Sequence, residues 1–252
     1  MSTDTVELGE MTWTEVEAAL DDGVDTAIVA VGAVEQHGPH LPLLTDTLRG
    51  DAIAERIADE LGDAVVAPTI RPGCSGHHMS FPGTITVPPA VLMDQIRAYC
   101  RSLDEHGFAH VVLVPTHGGN FAPVNTVAPE LGRELDTNVV ALADLQELME
   151  LGNAGLADAG VDYREPVVHA GAVETAVLLA VAEDLVDTDS FEVGTEGEVS
   201  TARLLSEGME TITENGVLGD PNHATAAAGE AILDRVAEAY AEQVEAARAA
   251  VE

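Results

Sequence analysis

The amino-acid sequence predicts an α/β fold in which a mostly parallel sheet is covered by helices on both faces. Short runs of β-branched and other apolar residues are typical of buried strands, and longer stretches with a helical period lie between them. Strands that alternate with helices are joined by crossover connections and therefore pair in parallel. The predicted strands cover residues 26–31, 64–70, 111–114 and 139–142.

The helices are predicted from apolar spacing and from their end signals. Thr12 and Glu15 form a capping-box pattern at the start of the first helix, where each can bond an amide at the other position. The last segment carries Ile232, Val236 and Tyr240 at helical spacing, so we expect a long helix docked on the domain or on a neighbouring subunit. The other predicted helices cover residues 47–61, 90–106, 121–135, 145–159, 172–185 and 201–211, and the last covers about 224–252.

The chain is strongly acidic and also rich in apolar residues. Its 252 residues include 45 Asp plus Glu against 10 Lys plus Arg, a formal net charge of −35, which excludes nucleic acid as an expected partner. Disordered acidic proteins are poor in apolar residues, whereas 46% of this chain is hydrophobic, so we expect a folded protein with one domain over residues 1–252. Carboxylates at this density repel one another unless salt screens them, which indicates adaptation to a salty cytoplasm.

The amino terminus and the cysteines favour a cytoplasmic protein. Residues 1–10 carry acids and have neither the basic start nor the apolar core of a secretion signal. No run reaches the length of about 18 apolar residues that a membrane span needs, so no membrane partner is expected. Cys74 and Cys100 are too few for a disulfide scaffold and are not spaced as a metal-binding pair.

The densest group of polar residues follows the predicted strand at 26–31. Glu35 and His37 come directly after this strand, and Asp46 follows in the same loop. In parallel sheets, ligands bind beyond the carboxyl ends of the strands, and this loop begins at such an end. Carboxylate and imidazole groups suit Zn, Mn or Fe. Taken alone, this spacing is a weak signal of a metal site.

Two further segments strengthen the prediction of a metal site. His117 follows another predicted strand, and Gly118 and Gly119 leave space for a ligand beside it. His169 and Glu174 add an imidazole and a carboxylate near the start of a later helix. Because loops at the carboxyl edge of a sheet can converge, we predict one site built from all three segments.

In this order, the motifs resemble those of the creatininase family of metal-dependent amidohydrolases. The similarity runs from about residue 27 to residue 225. The resemblance implies a three-layer αβα sandwich that is usually assembled as a homohexamer and acts on a small-molecule substrate. The matching segments are Glu35-Gln36-His37-Gly38-Pro39-His40-Leu41-Pro42 with Thr45-Asp46, Phe81-Pro82-Gly83-Thr84, His117-Gly118-Gly119-Asn120, His169-Ala170-Gly171 with Glu174-Thr175, and Gly219-Asp220-Pro221.

The resemblance also implies a dinuclear centre with two divalent metal ions per chain, Zn, Mn or Fe. Such a pair can lower the pKa of a bridging water to about 7, so that hydroxide attacks an amide, cyclic amide or formamide carbon. His169 corresponds to a family histidine that contacts the substrate, and its intrinsic pKa suits it to protonate the leaving nitrogen. The implied ligands are Glu35 and His117 for one ion, His37 and Glu174 for the other, and Asp46 as the bridge between them.

Two features depart from creatininase proper. Two residues after the position of His117, where that enzyme has a catalytic glutamate, this chain has Gly119. The only tryptophan, Trp13, lies outside the motifs, whereas creatininase surrounds creatinine with large aromatic residues. Both departures disfavour creatinine as the substrate. The alternatives are a formamidopyrimidine-ribotide deformylase of archaeal flavin and deazaflavin synthesis, a mycofactocin-precursor peptidase, and a non-catalytic metal-binding scaffold.

Five further residues are predicted to contact the substrate, and some of them have competing structural roles. His77 and His78 bind substrate or hold a ligand carboxylate, and Asn120 reaches the substrate or, preferably, caps the following helix. Outside this set, His40 is expected to orient its loop and Cys74 to be a small buried residue rather than a nucleophile. The five are His77, His78, Gly118, Gly119 and Asn120.

Overall fold

Four parallel strands form one sheet in a computed structural model that describes residues 6–197 and 199–251. The strands are Thr26–Val31 (β1), Ala64–Ile70 (β2), His110–Pro115 (β3) and Asn138–Ala141 (β4). Their order is β2-β1-β3-β4, and every neighbouring pair is parallel. The domain predicted over 1–252 includes residues 1–5, 198 and 252, which lie outside the described residues, as does the last residue of the helix predicted over 224–252.

Eight α-helices accompany the sheet in the described part of the chain. They are Trp13–Asp21 (α1), Thr45–Leu61 (α2), Pro89–Glu105 (α3), Phe121–Glu134 (α4), Leu145–Asp158 (α5), Ala172–Val181 (α6), Thr201–Glu207 (α7) and Ala226–Ala249 (α8). Side chains of β1 alternate between two cores, as the period of a strand requires. Ile28 and Ala30 face a core shared with α2, α5, α6 and α8, whereas Ala27 and Val29 face α3 and α4. The prediction of an α/β fold with three layers is confirmed.

Helix α2 begins at Thr45 rather than at residue 47. This start places Asp46 in the first turn of the helix, where the aligned peptide dipoles favour a negative charge. Asp46 is also buried. A helix N-terminus, rather than an irregular loop, therefore holds this carboxylate in position.

Two predicted helices end early. The helix predicted over 172–185 ends at Val181, because Ala182 leaves the helical region at φ −152° and ψ 45°. The helix predicted over 201–211 ends at Glu207, because Gly208 adopts φ +93°. In both segments the sequence keeps apolar residues at helical spacing beyond the break, but the backbone there forms only a short 3-10 turn. The apolar spacing therefore predicted helices longer than those that form.

The long C-terminal helix packs on the domain. It begins after Thr225, whose hydroxyl accepts the Ala228 N–H at 3.1 Å, and not at residue 224. Ile232, Val236 and Tyr240 are fully buried in the core shared with α2, α5 and α6. The helix therefore docks on the domain, which is the first of the two predicted alternatives. Among the described helices, none is both long and apolar enough to cross a membrane.

Candidate metal centre

Loops and helix starts at the carboxyl end of the sheet bring the predicted ligands together. Glu35 and His37 lie in the loop after β1, and His117 follows β3, the neighbour of β1 in the sheet. Asp46 and Glu174 lie in the first turns of α2 and α6. All five side chains are buried, so the predicted ligands form one cluster shielded from solvent.

The five side chains divide into two groups that share Asp46. In the first group, His117 Nδ1 lies 3.1 Å from Glu35 Oε1 and 3.6 Å from Asp46 Oδ2. In the second group, His37 Nε2 lies 3.6 Å from Asp46 Oδ1 and 3.5 Å from Glu174 Oε2. Within each group, one atom per residue lies within 4.8 Å of the others. Asp46 thus turns one carboxylate oxygen to each group, as a bridging ligand does.

The donor atoms of the cluster fit divalent cations. Both oxygens of Glu35, Nε2 of His37 and Oδ2 of Asp46 are buried and have no hydrogen-bond partner among the described residues. Native proteins rarely leave such atoms unpaired, because each costs about 1–3 kcal/mol. The clustered carboxylates also repel one another unless cations lie between them. Carboxylate oxygens and imidazole nitrogens are suitable ligands for Zn, Mn or Fe.

The carboxylates also make the two histidines predicted as ligands favourable positions for a cation. Burial lowers the pKa of His37, but Asp46 and Glu174 outweigh this effect and raise the pKa to about 10. At His117, Glu35 and Asp46 likewise outweigh burial and raise the pKa to about 9. The negative field that retains a proton on these rings favours a divalent cation in its place.

Gln36 contacts one ring nitrogen of each of two histidines beside the cluster. Its Oε1 accepts the Gly38 N–H at 3.0 Å, so its amide nitrogen is the group that faces the rings. That nitrogen lies 2.9 Å from His78 Nδ1 and 2.9 Å from His169 Nε2. The same nitrogen donates to the Gly216 carbonyl at 3.2 Å. An amide nitrogen has two N–H groups, so one remains for the two ring nitrogens. The other nitrogens of these rings, His78 Nε2 and His169 Nδ1, face Glu35 at 3.4 Å and 3.9 Å.

Replacing Gln36 by Met should remove this hydrogen-bond donor from both rings. In the zinc-loaded wild type, we expect nitrogen-15 NMR to show at least one of the two rings unprotonated on the nitrogen that contacts Gln36. In Gln36→Met, at least one of these rings should change its protonated nitrogen. Gln146→Met removes the amide of an exposed glutamine and should leave both rings unchanged. Identical ring spectra for Gln36→Met and the wild type would show that Gln36 has no such role.

Two hydrogen bonds hold the predicted ligand Glu174. Arg49 Nη1 donates to Glu174 Oε1 at 3.0 Å, and the Ala170 N–H donates to Oε2 at 2.7 Å. Arg49 is buried and lies one turn beyond Asp46 on α2. The same helix face therefore supplies one predicted ligand, Asp46, and the guanidinium that orients another, Glu174. Arg49 was not predicted from the sequence, although its spacing from Asp46 along a helix could have indicated it.

The buried carboxylate of Glu165 caps the helix that carries Glu174. It accepts the N–H of Ala172 and, at 3.2 Å, the N–H of Val173, which are the first residues of α6. Burial raises the pKa of Glu165 to about 8. The sequence carried no motif that marked this residue.

Glu165→Gln should change how stability depends on pH. The pKa of Glu165 rises from its ordinary value of 4.5 to about 8 on folding, so the folded protein holds this proton more tightly than the unfolded chain. The contribution of Glu165 to stability is therefore fully present below pH 4.5 and is lost as the pH rises through about 8. Glutamine does not ionise. In urea unfolding, the variant should gain free energy of unfolding relative to the wild type across this range, and a pH-independent difference would contradict the raised pKa.

The residues predicted to contact the substrate occupy different positions. A cavity of about 250 Å³ lies over the cluster, and His77, His78 and Gly118 line it. The contact of His78 with Glu35 matches the alternative expectation that His78 holds a ligand carboxylate. Gly119 and Asn120 are not among the described residues that line this cavity. The structure therefore does not place Gly119 and Asn120 where they would contact a substrate in this cavity.

Asn120 ties two loops together rather than capping a helix. It lies at the N-cap position of α4, but its side chain makes no capping bond. Its Nδ2 donates to the carbonyls of Val31 and Gly32 at 3.0 Å each, and its Oδ1 accepts the Cys74 N–H at 2.9 Å.

Cys74 is half-buried, whereas the sequence predicted a buried residue. Burial raises the pKa of its thiol, so the structure offers no reactive thiolate at this position.

Gly119 has no room for a side chain, whereas Gly118 does. A Cβ at Gly119 would lie 2.3 Å from the Cys74 carbonyl oxygen and 2.6 Å from His117 Nε2. A Cβ at Gly118 would meet nothing within 4 Å. The segment around Cys74 therefore occupies the space that a glutamate at position 119 would need.

The two glycines form a matched pair for a test of this packing. Gly119→Ala should displace His117 or the Cys74 backbone, lower stability by about 1–3 kcal/mol and weaken metal binding. Gly118→Ala should retain both properties of the wild type. Thermal unfolding and metal analysis of the two variants check this expectation, and equal behaviour of the pair would contradict it.

Two other predicted residues have structural contacts. His40 is buried, its Nε2 lies 3.0 Å from Thr175 Oγ1, and its ring contacts Phe191 edge-on. Asp220 accepts the Asn222 N–H at 2.9 Å at the start of a short 3-10 turn. Both observations agree with the loop and turn roles expected from the sequence.

Comparison with known proteins assigns the chain to a family. It matches the family model of creatininase, described as creatinine amidohydrolase, over residues 9–244. Mycofactocin precursor peptide peptidase of Mycolicibacterium smegmatis is 35% identical over 240 residues, which cover 92% of this chain and 89% of that protein. Creatinine amidohydrolase of Pseudomonas putida is 32% identical over 205 residues, with coverage of 73% and 75%.

The fold gives the same assignment. A mutant creatininase of the Zn-Zn type superposes with a TM-score of 0.81 at 26% identity, and the match covers 96% of this chain and 98% of that chain. The buried cluster lies wholly within the residues that the family model matches. The chain therefore belongs to the creatininase family of amidohydrolases.

Proposed function

We propose that the protein hydrolyses an amide-type C–N bond with two divalent metal ions held by the buried cluster. The position of Asp46 carries this proposal, because its two carboxylate oxygens face His37 and His117 at 3.6 Å each. A single ion would not require a ligand shared between two groups. The proposed ligands are Glu35 and His117 for one ion, His37 and Glu174 for the other, and Asp46 for both.

The chain's own residues would orient the substrate and supply a proton. When bound, two divalent ions supply a water of lowered pKa and polarise the substrate carbonyl. His169 lines the cavity, its Nε2 contacts Gln36, and its Nδ1 lies on the side of the cluster. Burial lowers the pKa of His169 well below its usual value, so the ring is neutral before the reaction. We propose that His169 contacts the substrate, takes up the proton that the attacking water loses and passes it to the leaving nitrogen. Thr116 supports the centre, because its hydroxyl donates to the Asp46 carbonyl at 2.7 Å.

We propose Zn, Mn or Fe as the native metals. The similar solved structures include a creatininase of the Zn-Zn type and one described as Creatininase Mn, which makes these two metals the first to test. We further propose a single-domain cytoplasmic enzyme with a small-molecule substrate, no nucleic-acid or membrane partner, and a homo-oligomeric assembly, a hexamer by family resemblance. The net charge of −35 supports the proposal that it works in molar salt.

Removal and restoration of metal test the proposed function. The protein is treated with a chelator in molar salt, reloaded with Zn or Mn, and assayed on formamides, lactams and short peptides. The panel includes creatinine, the formamidopyrimidine ribotide and the mycofactocin precursor. We expect the metal-free protein to be inactive and the reloaded protein to hydrolyse at least one substrate. A fully metallated protein that hydrolyses none of them would instead be the non-catalytic scaffold.

A further inference from the structure

We propose that the cavity over the cluster binds an uncharged aliphatic group beside the scissile C–N bond and disfavours phosphorylated substrates. This inference rests on the proposed function and names the substrate class of the same site. It is carried by the unequal walls of the cavity. The proposed metal ligands form one side, and aliphatic side chains from two helices and a loop form the other.

Helices α5 and α7 supply most of the aliphatic wall. Leu145, Leu148 and Met149 come from the start of α5, and Leu204 and Leu205 come from the second half of α7. An alkyl group placed against these side chains leaves water, and the gain is proportional to the apolar area that it buries. The wall therefore selects substrates by the size of an aliphatic substituent.

The same cavity offers no free permanent cation to a phosphate. The ten basic residues of the chain are all arginines, and among the described residues that line the cavity Arg49 is the only one. Arg49 is buried, and its guanidinium already binds Glu174 at 3.0 Å. Arg164 lies in an adjoining groove that shares Leu145 and Met149 with the cavity, and its side chain is exposed.

A phosphate dianion binds well only where arginine, lysine or several N–H donors meet it. A phosphate carried away from the scissile bond would face the aliphatic side chains of this wall, in a chain of net charge −35. A neutral amide with an aliphatic side chain packs against the apolar wall and is not repelled by the negative charge of the chain. Short peptides and N-acyl amides of this kind are therefore the expected class, in preference to the ribotide.

Two substrate comparisons with the fully metallated protein test this inference. In a series of amides that differ only in alkyl chain length, kcat/KM should rise about fourfold per added methylene until the wall is covered. The formamidopyrimidine riboside, which lacks the phosphate, should be hydrolysed at least as fast as the ribotide. No dependence on alkyl length would overturn the inference. A preference of tenfold or more for the ribotide would also overturn it, and loss of that preference in Arg164→Ala would identify the phosphate site.

A matched pair of variants assigns the alkyl dependence to the wall. Leu205 lines the cavity and is 53% exposed, whereas Leu185 is 54% exposed and is not among the lining residues. Leu205→Asp should flatten the dependence on alkyl length, and Leu185→Asp should preserve it. The same dependence in both variants and the wild type would show that the alkyl group binds elsewhere.

A binding measurement separates failure of this inference from failure of the proposed function. Alkyl hydroxamates bind divalent metals through their head group, so calorimetry with a series of increasing chain length reports on the wall without turnover. Affinity should rise about fourfold per methylene in the metallated protein. If no amide is hydrolysed but affinity rises in this way, the proposed hydrolysis fails and the subsite stands. If amides are hydrolysed but affinity does not rise, the subsite fails alone.

Discussion

Asp46→Asn is expected to leave no more than one tightly bound metal ion per chain and to lower kcat by about three orders of magnitude. The two oxygens of Asp46 lie 3.6 Å from His37 Nε2 and 3.6 Å from His117 Nδ1, so one side chain serves both groups. An amide keeps the shape of the side chain but removes its charge and one acceptor oxygen. Loss of one ion removes several kcal/mol of transition-state stabilisation, which corresponds to roughly a thousandfold in rate.

The control for this prediction is Asp59→Asn. Asp59 lies on the same helix α2, is exposed and belongs to neither ligand group, so this change removes the same charge from the same helix. Mass spectrometry of bound metal and steady-state kinetics are measured for both variants. Two retained ions and normal turnover in Asp46→Asn would contradict the bridging role.

His169→Ala is expected to lower turnover by about a hundredfold to ten-thousandfold while both metal ions remain bound. Its Nδ1 lies 3.9 Å from Glu35 Oε1, farther than the 3.1 Å between His117 Nδ1 and the same oxygen. Its Nε2 contacts Gln36, so only Nδ1 faces the cluster. We propose that this residue handles a proton rather than holds a metal.

Metal content separates the two roles of His169, because the geometry also groups His169 with Glu35 and His37 as candidate ligands. Loss of a metal ion in His169→Ala would identify His169 as a ligand and contradict its role as proton donor. Unchanged turnover would remove it from the mechanism. His106→Ala, a change at an exposed histidine of the described chain, serves as the matched control.

The fold could be predicted largely from local patterns. Strands β1 and β2 have the predicted bounds of 26–31 and 64–70, because buried parallel strands read as continuous apolar runs. The contact between Thr12 and Glu15 was also predicted, and the Glu15 carboxylate accepts the Thr12 N–H at 2.7 Å. The early end of α6 was not predicted, because the Ala182 backbone departs from the helix without a Gly or Pro to mark it.

The predicted ligand positions came from short motifs and a family resemblance, and the structure brings them together. The residues that support them were harder to find, because their partners are distant in sequence. Asn120 bonds Val31, Gly32 and Cys74, and Glu174 bonds Arg49 across two helices. The aliphatic wall likewise arises only when α5 and α7 meet over one cavity, so composition alone could not indicate it.

The number of metal ions per chain tests the central claim most directly. It is measured by mass spectrometry on wild-type protein purified in molar salt without chelators, and again after metal is added back. We expect about two equivalents of Zn, Mn or Fe per chain. One equivalent would remove the bridging role of Asp46, and none after metal addition would show that the buried cluster is not a metal centre.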